Sequence, residues 1–156
     1  VAASDEKVDA AVAVKARLNA VAEVTALLGT GGSQRIFNKK ARAGAALPFV
    51  VIENVDGEHH QAKDGAEGMS RTTVQLRIVA AEPSELTRLS KRIFLALCGF
   101  RGTISATIDT VATDVVVKSF QMIGERDAPI EKNDGTGNVK FTRLQDWAAW
   151  LAELTS

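Results

Sequence analysis

The chain has 156 residues, of which 46% are hydrophobic and 24% charged, the proportions of an ordinary folded domain rather than of a disordered or fibrous chain. Its 19 lysine and arginine residues are matched by 19 aspartate and glutamate residues, so the formal net charge is zero, which argues against a non-specific nucleic-acid binder that needs a basic surplus to displace counterions. The single cysteine, Cys98, leaves no partner for an internal disulfide; no apolar run approaches the roughly 20 residues of a membrane span, and the first residues carry no secretory pattern.

Ser4 is placed to cap a helix whose first turn holds Asp5 and Glu6, acids suited to the positive end of the helix dipole. Val8, Ala11, Val12, Lys15 and Leu18 then recur at helical spacing, Asn19 breaks the run, and Val21, Val24 and Leu28 continue as a short second helix. Gly29-Thr30-Gly31-Gly32 stops it. That glycine cluster lacks the lysine and hydroxyl residue of a phosphate loop and does not join a strand to a helix, so it reads as a turn. Gln34 to Phe37 is a candidate short edge strand, and Lys39 to Ala46 a basic, alanine-rich connector.

Leu47 to Val55 reads as a strand, with Pro48 at its start or at an edge. The polar, glycine-bounded stretch Gly57 to Gly68 reads as a long exposed loop. From Met69, Val74, Leu76, Ile78 and Ala80 alternate with Thr73, Gln75, Arg77 and Val79, the period of a strand with one buried face. Past Pro83 the period turns helical: Leu86, Leu89, Ile93 and Leu97 share one side, with Arg88, Lys91, Arg92 and Leu95 on the back and Gly99 just beyond the end. Val74, Leu76, Ile78, Leu86, Leu89, Ile93 and Leu97 are expected to share a core. Phe100 to Gly102 leads into a strand-rich region in which Val111 to Ile123 is the longest candidate. Glu125 to Asn138 reads as a second long loop, and Val139 onward as a last strand of imperfect alternation.

The expected order is therefore helix, helix, strand, strand, helix, strand, strand. It implies a single α+β domain over 1–156, with N-terminal helices over 5–28 and a sheet-and-helix core over 47–150, the sheet mainly antiparallel and the helices on one face.

Candidate sites are few. Glu58, His59, His60 and Asp64 crowd together, but adjacent residues of an extended segment point to opposite sides, and a solvated loop is the preferred reading. Cys98 falls at a helix end, where the dipole disfavours a thiolate, and reads as a small apolar filler. No serine lies in a G-x-S-x-G elbow. Glu125, Asp127, Glu131 and Asp134 are acids in a glycine-rich loop that also holds Arg126 and Lys132. No metal, cofactor or catalytic constellation emerges, so the chain is read as not an enzyme; the alternative is a monomeric ligand-binding domain or an enzyme whose pocket leaves no motif.

In order and wording the chain resembles the tail terminator, or tail completion, proteins of long-tailed bacteriophages and phage-derived gene transfer agents. The resembling pieces are TALLG, Arg35-Ile36-Phe37, ALPFVVIE, VDGEHHQAKDG, SRTTVQLRIVA, LALCGFRG and GERDAPIEKNDGTGNVKFTR. The basic connector Lys39-Lys40-Ala41-Arg42 departs from the family pattern, as does the ending in which Trp147 and Trp150 precede Leu151-Ala152-Glu153-Leu154. The resemblance implies a structural virion protein without cofactor. It would form a homo-hexameric ring at the head–tail junction that caps the tail tube, ends its polymerisation and meets the head–tail connector protein. Double-stranded DNA would pass through the lumen without sequence-specific binding, and assembly would take place in the host cytoplasm, with no membrane partner. On that reading Leu95, Trp147, Trp150 and Leu151 are spare apolar groups suited to contacts between subunits. The two long loops, with Glu58, His59, His60, Asp64, Glu125, Asp127, Glu131 and Asp134, are the expected working surfaces.

Overall fold

The computed structural model describes residues 10–29, 34–41, 45–62, 65–108, 111–132 and 139–152, with side chains described for all of these except 54–62, 65–70, 106–108, 111–113, 131–132 and 152. Two helices come first, α1 (Ala10–Asn19) and α2 (Ala22–Leu28). Their alanines and valines bury Ala10, Ala13, Val14, Leu18, Val24 and Leu28. Residues 5–9 of the expected first helix, with its cap at Ser4, lie outside the described residues. After a three-residue strand β1 (Ile36–Asn38) come β2 (Phe49–Ala62), β3 (Gly65–Ala80) and the long helix α3 (Pro83–Leu97). Strands β4 (Gly102–Ile108), β5 (Val111–Asp127), β6 (Glu131–Lys132) and β7 (Val139–Ala152) complete the chain.

Helix α3 follows the sequence pattern closely. Pro83 occupies its first turn, where a missing N–H costs nothing, and Leu86, Leu89, Ile93 and Leu97 are buried. Past its end Gly99 adopts φ 75° with nothing near the position a Cβ would take. Its role is conformational, since the left-handed region penalises any residue with a Cβ.

One sheet in the order β1-β2-β3-β7-β5-β4 carries the fold, with β6 paired to the outer end of β7. Every ladder is antiparallel except β1 with β2. The middle strand is β7, the last in sequence, flanked by β3 and β5. Helices α1, α2 and α3 pack on one face, against Val74, Leu76, Ile78, Val117, Phe120, Trp147, Ala149 and Leu151 in a single core. On the opposite face Phe49, Val51 and Val79 form a smaller cluster, covered by Phe37, Ala41, Ala45 and Leu47. Ala41 and Ala45 of the connector thus lie on the far side of the sheet, and residues 42–44 fall outside the described residues.

The helical layer is tied together by arginines donating to backbone carbonyls. Arg17 Nε donates to Ala96 O at 2.9 Å, in the last turn of α3, and Arg35 Nη2 to Leu27 O at 2.6 Å, in the last turn of α2. Both satisfy carbonyls that have no partner within their own helix, at the negative end of its dipole. Arg92 Nη1 adds a bond to Glu23 O at 2.9 Å. Arg17 also lies 4.0 Å from the Phe100 ring centroid, and Phe100 stacks on Phe120 of β5 at 6.2 Å.

Two expectations are corrected. Gly57 to Gly68 is not a loop: β2 and β3 continue as a ladder through Gly57↔Thr72, Glu58↔Arg71, His59↔Ser70 and His60↔Met69 to Ala62↔Gly65. Likewise β5 runs through Glu125 to Asp127, and Glu131–Lys132 pairs with Lys140 and Val139. Ladder bonds are made by the backbone and need no apolar alternation, so a ribbon of polar and glycine residues looks like a loop in sequence. The sequence pattern places β4 only within a strand-rich region, and the structure sets it apart as Gly102–Ile108.

Candidate functional site

Among the described residues the large apolar side chains left exposed are Phe94, Leu95, Ile123 and Ile130. Leu95, 65% exposed, stands on the outer face of α3 beside the cations Arg88 and Lys91. Phe94, one residue earlier, reaches the opposite way and tilts onto the Trp147 ring at 6.0 Å. Ile123, 55% exposed, is the extra residue of a bulge between the Met122↔Trp147 and Gly124↔Asp146 pairs. Ile130 follows β5, just past the Ala128 N–H that donates to Thr142 O.

Trp147 and Leu151 are not spare contacts. Trp147 is fully buried and Leu151 nearly so, because Trp147 shares a rung with Val74 on the helix-facing side and Leu151 with Ser70 and Val117. Their reading as subunit contacts is corrected: the core of the chain itself consumes them. Trp150 points to the other face, half-buried, with the Arg71 guanidinium 6.0 Å from its ring centroid. Cys98, expected as a buried filler, is exposed at the C-terminal cap of α3.

Two of the candidate acids, Glu125 and Asp127, belong with Asp146 to hydrogen bonds around β7. Glu125 Oε2 accepts from Gln145 Nε2 at 2.7 Å, and Gln145, fully buried, also donates to Ser90 O of α3 at 3.3 Å and accepts from Trp147 Nε1 at 3.1 Å. That is the arrangement a buried amide requires, with both ends satisfied. Asp127 accepts from Arg143 Nε at 2.7 Å, an ion pair on the same side of the sheet. On the open face Asp146 accepts from Arg126 Nη1 at 2.8 Å and from Gln75 Nε2 at 3.0 Å. Such exposed pairs contribute little stability each, about 0–1 kcal/mol.

Glu58, His59 and His60 lie on the extension of β2, with their side chains outside the description, and so does the side chain of Glu131 on β6; Asp64 and Asp134 fall outside the described residues altogether. The two groups of site residues are not brought together: His59 lies at the far end of the β2–β3 ribbon and Asp127 at the opposite end of the β5–β7 pair. Sequence reasoning missed Phe94 and Ile123. The one available signal was Met122-Ile123-Gly124, where the strand's alternation slips. Among the described residues no helix is long and apolar enough to cross a membrane.

An exposed leucine contributes little to folding. Leu95→Lys is therefore expected to leave the thermal midpoint of the protein within a degree or two, on the order of 0.5 kcal/mol, while removing the apolar tip of the α3 outer face. A large loss of stability on thermal melting would mean that Leu95 is packed.

Comparison with known proteins bears on what such a surface serves. A comparison with curated proteins gives no match. A chain from the solved virion of a native gene transfer agent (GTA) particle shares the fold, with a TM-score of 0.60 at 15% identity, covering 89% of this chain and 92% of that one. At that identity the likeness speaks to architecture alone. The profile of the family described as tail completion protein gp17 matches residues 12–128, from within α1 to the end of β5. Spanning most of the sequence and joined to an α+β architecture found in a virion, that match makes the chain a member of the tail completion protein family, structural proteins of phage-type tails.

Proposed function

We propose that the protein acts as a tail terminator: a hexameric ring seated on the end of the tail tube, which ends tube polymerisation and presents a surface to the head–tail connector. The observation that carries this reading is the family match over residues 12–128, supported by features suited to contacts between subunits. These are the exposed apolar tips Leu95, Ile123 and Ile130 and, among the described residues, the stretches of β2 and β5 that have a ladder partner on one side alone. The two ribbons, carrying Glu58, His59 and His60 on one and Glu125 on the other, with Asp64, Glu131 and Asp134 near their tips in sequence, are the proposed contacts to tube and connector. DNA would cross the lumen without base readout. A formal net charge of zero suits passage, because a strongly basic lining would hold phosphates and make transit salt-dependent. Assembly is assigned to the host cytoplasm and the mature location to the head–tail junction.

Labelled protein should appear at one end of each tail, the end that joins the head. Particles made without it should carry tubes of uncontrolled length and unjoined heads. Label distributed along the whole tail, or normal joined particles in its absence, would overturn the terminator reading. A second reading, a monomeric ligand-binding domain or enzyme, has no specific observation in its favour.

A further inference from the structure

Both margins of the sheet are unfinished, and they are unfinished at the same height. On one side β1 pairs only with Val50–Ile52, so from Glu53 to Ala62 strand β2 has a ladder partner on its β3 side alone. On the other side β4 pairs only with Val111–Val117, so from Ser119 to Asp127 strand β5 has a partner on its β7 side alone. These statements hold among the described residues. A row of backbone N–H and C=O groups with no neighbour is a template for another strand.

The ladder relates the two rows to one another. Glu58 shares a rung with Arg71, Trp150 and Ser119; Glu53 shares one with Gln75, Asp146 and Gly124. Three antiparallel steps separate β2 from β5, so the two run in opposite directions. One irregularity of each row falls at nearly the same level, Val55 in β2 and Ile123 in β5, on either side of the Trp147 rung, and β5 has a second at Lys118. Because a bulge bends its strand, both margins turn at nearly the same level.

The β5 row is apolar at its centre, with Phe120, Met122 and Ile123, and the charges that usually guard an edge stand only toward its end, at Glu125, Arg126 and Asp127. Ile123 is 55% exposed, Met122 only partly buried, and Phe94 leans on Trp147, the rung partner of Met122. At the upper end of the row Lys118 is exposed, and the opposing β2 row carries Glu53, Asp56 and Glu58.

We infer that the β2 row of one copy pairs antiparallel with the β5 row of the next, bringing Glu58 opposite Ser119 and Glu53 opposite Gly124. The occupant of each margin is thus a second copy of this chain. The inference rests on the ring reading and adds its contact. A rotation about an axis along the strands keeps every strand's direction and height, so two margins on the same rungs meet without a rise and the head-to-tail contact closes instead of growing into a filament. Strand tilt in a closed sheet slides the register somewhat, and both rows are long enough to remain paired after such a slip. In this register the Glu58 position comes beside Lys118, an opposite charge at one end of the row.

The test uses cross-linking in a Cys98→Ser background, with Ser119→Cys and Glu58→Cys carried on separate full-length chains and a short bismaleimide as the probe. It is run on concentrated protein and on tails assembled with the variants. Cross-linked dimers are expected when the two single variants are mixed and not from either alone, and a chain carrying both substitutions should give a ladder ending at the ring. Ile123→Asp should reduce the cross-linked yield about tenfold, the loss expected from one buried isoleucine, while the thermal midpoint stays close to that of the parent. Self-cross-linking of either single variant, cross-links to the tube protein instead, or a yield indifferent to Ile123→Asp would overturn the inference. Tails whose images show a ring but which give no cross-link on mixing would overturn the edge contact and leave the ring reading standing. Tails with no ring at their end would remove both.

Discussion

Trp147→Ala should be the most damaging single truncation in this chain, lowering stability by at least about 4 kcal/mol. The indole is fully buried under α3, against Phe94, and occupies the middle of the central strand. Removing a buried tryptophan costs roughly 3–5 kcal/mol through lost burial and the cavity left behind. The indole N–H is also the donor to Gln145 Oε1, and an amide oxygen stranded in the core adds about 1–3 kcal/mol. Against a total stability of about 5–15 kcal/mol, this places the variant near the edge of folding. Thermal or urea unfolding should show a midpoint lowered by about 8–16 °C or the corresponding denaturant shift. Trp147→Phe separates the two contributions, since it keeps most of the ring and loses only the donor; its deficit should be the smaller, about 1–3 kcal/mol. A melting temperature unchanged by Trp147→Ala would return the residue to the surface role the sequence suggested.

Gln145→Glu tests the buried amide with almost no change in shape. The side chain is fully buried, and its Nε2 donates both to Ser90 O and to the Glu125 carboxylate. An introduced carboxylate would have no hydrogen to donate, would face a carbonyl oxygen and a second carboxylate, and would be cut off from water. Desolvation and like charge both raise the pKa of such a group above its unfolded value. The sign follows from linkage: with a raised folded pKa the native state binds the proton more tightly than the unfolded state, so stability falls as pH rises from the unfolded pKa to the folded one. At neutral pH the variant should be destabilised by about 3–5 kcal/mol, the scale of an uncompensated buried charge. Relative to wild type, the deficit should shrink as pH is lowered toward 4 and the introduced carboxyl takes up its proton. Unfolding curves of both proteins across that range measure it; a deficit independent of pH would mean that the site admits water.

What the sequence disclosed followed from where burial was one-sided. β3 lies under the helices on one face and near solvent on the other, so Val74, Leu76 and Ile78 alternate visibly, and α3 shows its buried stripe for the same reason. The ribbon beyond Asn54 shows no such alternation in its sequence, and its glycines and charges have the composition of a loop. Near the end of the chain, Ala148 and Ala149 are both buried, on opposite faces of β7. Small residues filling both sides erased the period that would have placed Trp147 and Leu151 inside. Strand β4, GTISATI, is short and mixed in character, and its partner had to be known before it could be recognised. Contacts such as Gln145 with Ser90, or Arg17 with Ala96, join residues far apart in sequence and leave no local trace. The family resemblance, by contrast, rested on the order of weak segments and survived the misreading of two of them.

The position of β7 between β3 and β5 has a consequence for how the protein is made. Val74 waits for Trp147, and Phe120 for Ala149, before either strand acquires its central neighbour. Pairings this distant in sequence are slow to close, and sheets built on them fold later than helical bundles of similar size. On the ribosome, α1 through β5 emerge with the sheet still split in two, one part around β3 and one around β5, each exposing the apolar face meant for the middle strand. The cooperative core can assemble only once β7 has been synthesised and has left the ribosome. Until then the nascent chain is a candidate for chaperone protection.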